Sequence, residues 1–108
     1  MQKRVEKIVE VLDKNKAENI EIFDVSGKGY FVDNVVIASS LGSKHTTALL
    51  DHLKKGLKPE EKFYGVDESD NWIVVDLGDI LVHIMTPEYR VKYDMESFLS
   101  DMMNSKTK

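Results

Sequence analysis

The sequence predicts one α/β domain built on a mixed five-stranded sheet flanked by helices. Three observations carry that prediction. Helical and extended patterns alternate along the chain in the order helix, strand, strand, helix, strand, strand, strand, helix. Two apolar runs meet at a tight Asp76-Leu77-Gly78-Asp79 turn, which is a hairpin signal. At 108 residues the chain is long enough for one core and short for two.

The elements follow in order. Val5, Ile8, Val9 and Leu12 keep i, i+3, i+4, i+7 spacing, so residues from about 2 to 15 read as an amphipathic helix. Ile20 to Val25 is a short run of β-branched and aromatic residues and reads as a strand, and Gly27 and Gly29 supply the turn after it. The next strand, Asp33 to Ser39, holds the continuous apolar run Val35-Val36-Ile37-Ala38, suited to a position buried on both faces. Ser43 is placed to cap a helix whose apolar face is Leu49, Leu50, Leu53 and Leu57, with Gly56 and Pro59 as its stop signals. Phe63 to Val66 reads as a short strand, and Trp72 to Leu77 and Ile80 to Met85 form the hairpin. Pro87 opens a helical turn; Met95, Phe98, Leu99 and Met102 then continue a helical face, with Asp94 at its N-cap. The domain is expected over residues 1–103, with 104–108 a polar tail. The helix after the second strand allows that strand to pair in parallel with the third, while the hairpin is antiparallel.

Composition narrows the function classes. Hydrophobic residues make up 42% and charged residues 31%, a globular balance. With no cysteine, disulfides, thiolate metal sites and thiol nucleophiles are excluded. No run approaches the ~20 apolar residues of a membrane span, and the opening MQKRVEKIVEVL lacks signal-peptide form; a cytoplasmic location is expected. The net charge of −4 leaves only short basic clusters, at Lys3-Arg4, Lys54-Lys55 and the Lys106–Lys108 tail. Little direct nucleic-acid contact is therefore expected, and an acidic balance suits a basic protein partner.

Catalytic patterns are absent from the sequence. His45, His52 and His83 have no short metal-ligand spacing, and each has an ordinary structural explanation. Asp67-Glu68 lies in a polar loop, and Asp76 and Asp79 flank a glycine turn where aspartate is a normal residue. Gly27-Lys28-Gly29 and Leu41-Gly42-Ser43 lack the order of a phosphate-binding P-loop. Gly42-Ser43 before a helix also opens nucleotidyl-transfer sites, but the paired D-x-D carboxylates those sites need do not follow. The reading is therefore no catalytic residues, no cofactor and no metal. The rival reading is a metal-dependent nucleotidyl or phosphoryl transfer enzyme using Asp67, Asp76 or Asp79.

Recognition is the better-supported class. Trp72, the only tryptophan, shares one segment with Tyr89, Arg90 and Tyr93, and Trp, Tyr and Arg are the residue types enriched at interface hot spots. The hairpin register decides which of these side chains meet. A two-residue Leu77-Gly78 loop puts Trp72, Val74, Leu81 and His83 on one face. A three-residue loop with Gly78 as a left-handed bulge puts Trp72 and His83 on opposite faces, and leucine's poor fit to a type I′ turn favours this second form.

The run from Trp72 to His83, followed by Pro87-Glu88-Tyr89-Arg90-Val91-Lys92-Tyr93-Asp94-Met95-Glu96, resembles the signature of the ribosomal silencing factors (the Iojap family). There a W-x-L-x-D-x-G-D-hydrophobic-V-H hairpin leads into a P-x-x-R-x-x-Y-x-L-E helix. Asp24, Asp33, the Val36-Ile37-Ala38-Ser39 strand and the Ser43 helix start resemble the family's other block. The chain departs from it at Asn34-Val35, at Ser40-Leu41-Gly42-Ser43 and at Met95. The resemblance implies a nucleotidyltransferase-like fold without catalytic carboxylates. It also implies a non-enzymatic factor that binds the large ribosomal subunit at ribosomal protein fourteen, blocks joining of the small subunit and so represses translation. A homodimer is implied too. Carried onto this chain, the contact residues are Trp72, Asp76, Asp79, His83, Arg90 and Tyr93, with Gly78 structural.

Overall fold

The computed structural model describes residues 3–58 and 60–104. Among these described residues nine elements follow one another: α1 (Lys3–Lys14), β1 (Glu18–Asp24), β2 (Asn34–Ser39), α2 (Ser43–Leu57), β3 (Gly65–Asp67), β4 (Trp72–Asp76), β5 (Ile80–Met85), α3 (Pro87–Tyr93) and α4 (Met95–Asn104). The expected final helix is two, α3 and α4, jointed at Asp94. That residue does precede α4, but in the left-handed conformation (φ 47°, ψ 49°) with its N–H on the Arg90 carbonyl. Asn104, expected to open the tail at 104–108, instead ends α4, and residues 105–108 lie outside the described residues.

The sheet order is β1-β2-β5-β4-β3, with β2 and β5 parallel and every other pair antiparallel. The expected parallel pairing of β2 with β3 is thus corrected. All six residues of β2 and all six of β5 are buried, whereas β3 is three residues long and mostly exposed. Strands that are apolar on both faces belong at the centre of a sheet covered on both sides. So β5 takes the place beside β2, and β3 goes to the far edge.

Helices cover both faces. On one, Val5, Ile8, Val11 and Leu12 of α1 and Leu49, Leu50, Leu53 and Leu57 of α2 pack on Val36, Ala38, Ile73, Val75, Ile80, Val82 and Ile84. Each such leucine or isoleucine contributes about 1.5–3 kcal/mol on leaving water. On the other face, Val35, Ile37, Leu81 and Met85 meet Leu99, Met95 and Met102 of α4 and Tyr89 of α3.

Two expectations at α2 are corrected. Gly56 does not stop the helix but lies inside it; a Cβ there would stand 2.8 Å from Val11 Cγ2, so the glycine lets α1 and α2 close on each other. Pro59 lies outside the described residues, but Lys58 before it is extended, as a pre-proline residue should be. The N-cap is Gly42 rather than Ser43, without a side-chain cap. Instead His45 Nδ1 accepts the Leu41 N–H, and the Thr46 hydroxyl bonds to Ser40 Oγ and the Gly42 carbonyl. Among the described residues no helix is long and apolar enough to cross a membrane.

Candidate functional site

The hairpin settles which side chains meet. Asp76 lies opposite Leu81, Val74 opposite His83 and Trp72 opposite Met85. The connection is Gly78-Asp79, closed by the Leu77 N–H on the Ile80 carbonyl at 2.9 Å. This is neither expected loop, and it overturns the bulged form in particular. Glycine carries the positive φ (+96°) at the first central position, where two-residue hairpin loops can require it. A Cβ on Gly78 would also stand 2.9 Å from the Tyr64 ring. Cross-strand partners share a face, so Trp72, Val74, Asp76, Leu81 and His83 all lie on the α3/α4 side.

On that face Trp72 donates from Nε1 to His83 Nδ1 at 3.0 Å. This leaves the neutral imidazole's proton on Nε2, an atom buried without a hydrogen-bond partner among the described residues. Burial drives the His83 pKa down to about 4, so the ring is neutral at physiological pH. The Tyr93 ring lies 4.9 Å from Trp72 and 5.7 Å from Tyr89, and the Lys92 ammonium sits over both tyrosines at 5.4 and 5.6 Å. Tyr89 and Tyr93 are one helical turn apart, which brings them together on α3. Because α4 packs over β1, it leaves Trp72 and Val74 half-buried and Tyr93 46% exposed. An aromatic surface thus remains open at this end of the sheet.

Toward the other end, Asp76 accepts the Gly78 N–H at 2.8 Å, an aspartate turn contact. Its neighbours Gly65, Val66, Asp67, Val74 and Leu81, with Phe31 71% exposed, line a shallow groove. Acid and apolar surface therefore adjoin the aromatic cluster.

Two expected contact residues lie elsewhere. Asp79 turns toward α1, where its carboxylate meets Arg4 at 2.9 Å; Arg4 also holds Glu61 through Nε at 2.7 Å and Nη2 at 2.9 Å. Arg90 is 6% exposed and internal. Its Nε donates to Glu96 at 2.6 Å, its Nη1 to Ser39 Oγ and the Asn19 carbonyl, and its Nη2 is 3.3 Å from Glu21. It ties α3 to α4, β1 and β2, with Glu96 as its nearest carboxylate partner. The fan of planar donors on one guanidinium makes arginine suited to such a junction.

Lys92 and Phe31 belong to the open face but were missed from the sequence. The one available signal was the i, i+4 pair Tyr89-Tyr93. Phe31 sits in an irregular connection whose fold no periodicity predicts. Asp67, Asp76 and Asp79 do not converge, and among the described residues no three His, Asp or Glu side chains gather where they could hold a metal ion.

The family described as "Ribosomal silencing factor during starvation" matches residues 1–108. Over 95 residues the chain is 38% identical to the ribosomal silencing factor RsfS of Haemophilus influenzae, covering 85% of this chain and 93% of that one. Over 99 residues it is 30% identical to "Mitochondrial assembly of ribosomal large subunit protein 1" of Mus musculus, covering 85% of this chain and 43% of that longer protein. A crystal structure of a Chromobacterium violaceum protein matches with a TM-score of 0.85 at 27% identity, over 93% of this chain and 88% of that one. The chain belongs to the ribosomal silencing factor family.

Proposed function

We propose that this protein represses translation by binding the large ribosomal subunit at ribosomal protein fourteen and occupying the volume the small subunit needs. The observation that carries the reading is the open aromatic surface, with Trp72 fixed between His83 and Tyr93. A preset tryptophan loses little conformational freedom on binding, and a desolvated aromatic centre is the usual source of interface energy. Asp76 and Asp67 at the adjoining groove give the face the charge a basic ribosomal protein would complement. A standard interface of about 800 Å² per partner fits on a molecule with 6399 Å² of surface. Excluded volume does the rest, and no chemical step is needed.

Within this reading Trp72, Tyr93 and Asp76 touch the partner, His83 orients Trp72, and Arg90 holds the α3 platform on the sheet. Asp79 acts by setting the hairpin against α1. The unbound protein is a homodimer, as the family resemblance implies, which sedimentation velocity would check.

Co-sedimentation with purified large subunits tests the proposal. Wild type should pellet with the subunits and should block their joining to small subunits. Trp72→Ala should weaken binding by about 30-fold, as expected for a hot spot of about 2 kcal/mol, while keeping a cooperative melt. Undiminished pelleting by that variant, or no pelleting of wild type, would sink the reading.

A further inference from the structure

The net charge of −4 conceals two oppositely charged sides. Residues 3–17, 43–58 and 60–62, which form the α1/α2 layer, carry ten Lys and Arg against six Asp and Glu. The remaining described residues carry three against thirteen. Asp79, counted among the thirteen, reaches across to Arg4, but even with it assigned there the α1/α2 side is basic while the aromatic side and its rim are strongly acidic.

The basic charge is concentrated along a furrow. One depression is lined by Lys3, Arg4, Lys7, Gly56, Leu57, Glu60 and Glu61. A second is lined by Lys7, Glu10, Val11, Lys14, Asn15, His52, Lys55 and Gly56. They share Lys7 and Gly56 and so run together along the seam between the helices. Lys3, Lys7 and Lys14 stand at i, i+4 and i+11, on one face of α1 over about 16 Å of helix. Lys55 faces them from α2. Glu61 is taken up by Arg4, leaving Glu10 and Glu60 as the opposing charges. None of Lys3, Lys7, Lys14 and Lys55 takes part in an ion pair among the described residues.

From this arrangement we infer that the α1–α2 furrow binds the phosphate backbone of RNA. It goes beyond the proposed function, since it concerns the opposite side of the molecule. The exposed large hydrophobic residues of the described chain are Phe31, Leu41, Tyr64, Val91, Tyr93, Phe98 and Met103, and none lies on α1 or α2. Peripheral membrane helices need apolar anchors, and protein interfaces draw their energy from aromatic ones. A phosphate backbone needs only unpaired cations at a spacing that follows the chain, and the contact carries no sequence preference. The two sides then orient the molecule, acid toward a basic protein and lysines toward nucleic acid.

Fluorescence anisotropy with a 5′-labelled 20-base-pair RNA duplex tests the inference directly, without ribosomes. Wild type at about 100 μM should bind in low salt, within the range of non-specific contacts. Log affinity should fall linearly with log salt, at a slope set by about three neutralised phosphates. The variant K7Q/K14Q/K55Q, altered only at exposed positions, should lose about tenfold in affinity at 50 mM salt and most of that slope. Lys92→Gln, on the acidic side, should bind RNA as wild type does. Absence of wild-type binding, equal binding by the triple variant, or equally salt-sensitive binding to polyglutamate would each overturn the assignment. Large-subunit pelleting that depends on Trp72 would survive any of these results, so the two proposals fail separately.

Discussion

The two faces of the sheet are built to different standards. On the α1/α2 face the leucine side chains of α2 and the apolar side chains of α1 close completely over Ile73, Val75, Val82 and Ile84. The α3/α4 face closes over β1, β2 and β5 but not over β4, leaving half-buried Trp72 and Val74 beside a buried His83 whose Nε2 has no hydrogen-bond partner among the described residues. Apolar closure maximises stability and offers a partner nothing but charge. The incomplete face gives up burial and keeps oriented aromatic and polar groups at its margin. On the proposed reading, one domain of this size assigns stability to one side of a sheet and recognition to the other.

Exchanging a side chain on each face sharpens that division most strongly. Leu53 is fully buried on the α1/α2 face, and Leu53→Ala should cost about 2–5 kcal/mol of unfolding free energy, the cavity term included. Whatever remains folded should bind its partner as wild type does. Trp72→Ala should do the reverse, with the larger loss in binding. Urea unfolding beside co-sedimentation reads both quantities. Similar ratios of the two losses in both variants would break the comparison.

The sequence showed these two faces unevenly. Periodicity placed the leucine side chains, and continuous apolar runs identified β2 and β5, because burial on one or two faces leaves a direct imprint on residue type. It did not reveal that β5 rather than β3 lies beside β2, since pairing is a long-range choice among strands. Nor did it give the register, where Gly78-Asp79 was passed over for loops shifted by a residue. Gly56 read as a stop because its use, the close approach of Val11, is a contact distant in sequence. Arg90 read as a contact residue for the same reason. A buried arginine and an interface arginine are the same letter, and only Glu96, Glu21, Ser39 and Asn19 around it tell them apart.

A titration comes next in size, and it bears on the recognition face alone. His83 has a folded pKa of about 4, below the ordinary 6.5, because burial disfavours its charged form. The unfolded chain therefore binds the proton first as pH falls, and stability drops with it. The loss is absent above the unfolded pKa and grows from pH 6.5 downward, reaching on the order of 2 kcal/mol by pH 5. A His83→Gln variant should lack this component, which urea unfolding at pH 7, 6 and 5 would measure. Equal pH slopes for the two proteins would mean that the imidazole is not held neutral. Partner binding should stay flat from pH 8 to 6, since the ring keeps one protonation state throughout. The buried histidine thus works as a fixed brace for Trp72 rather than as a switch.

The smallest effect falls where the two faces join. The hairpin turn sends Asp76 to the recognition side and Asp79 to Arg4 on the helical side, with Gly78 between them. Its φ of +96° disfavours any residue with a Cβ, so Gly78→Ala should cost about 1–2 kcal/mol even where the exposed Tyr64 ring moves aside. Breaking only the helical link, by Asp79→Asn, should cost less, about 0.2–1 kcal/mol, because that ion pair is partly exposed. The two variants separate backbone from charge. If the turn merely connects the strands, both should leave partner affinity unchanged and differ only in denaturation midpoint. If it sets the angle of the open face, Gly78→Ala should also weaken subunit binding while Asp79→Asn does not. The register argues for the second outcome, because the turn fixes which residues of β4 stand opposite Leu81, His83 and Met85 and so keeps Trp72 beside His83. Wild-type affinity in Gly78→Ala would reduce the turn to a tether and confine recognition to the Trp72 end.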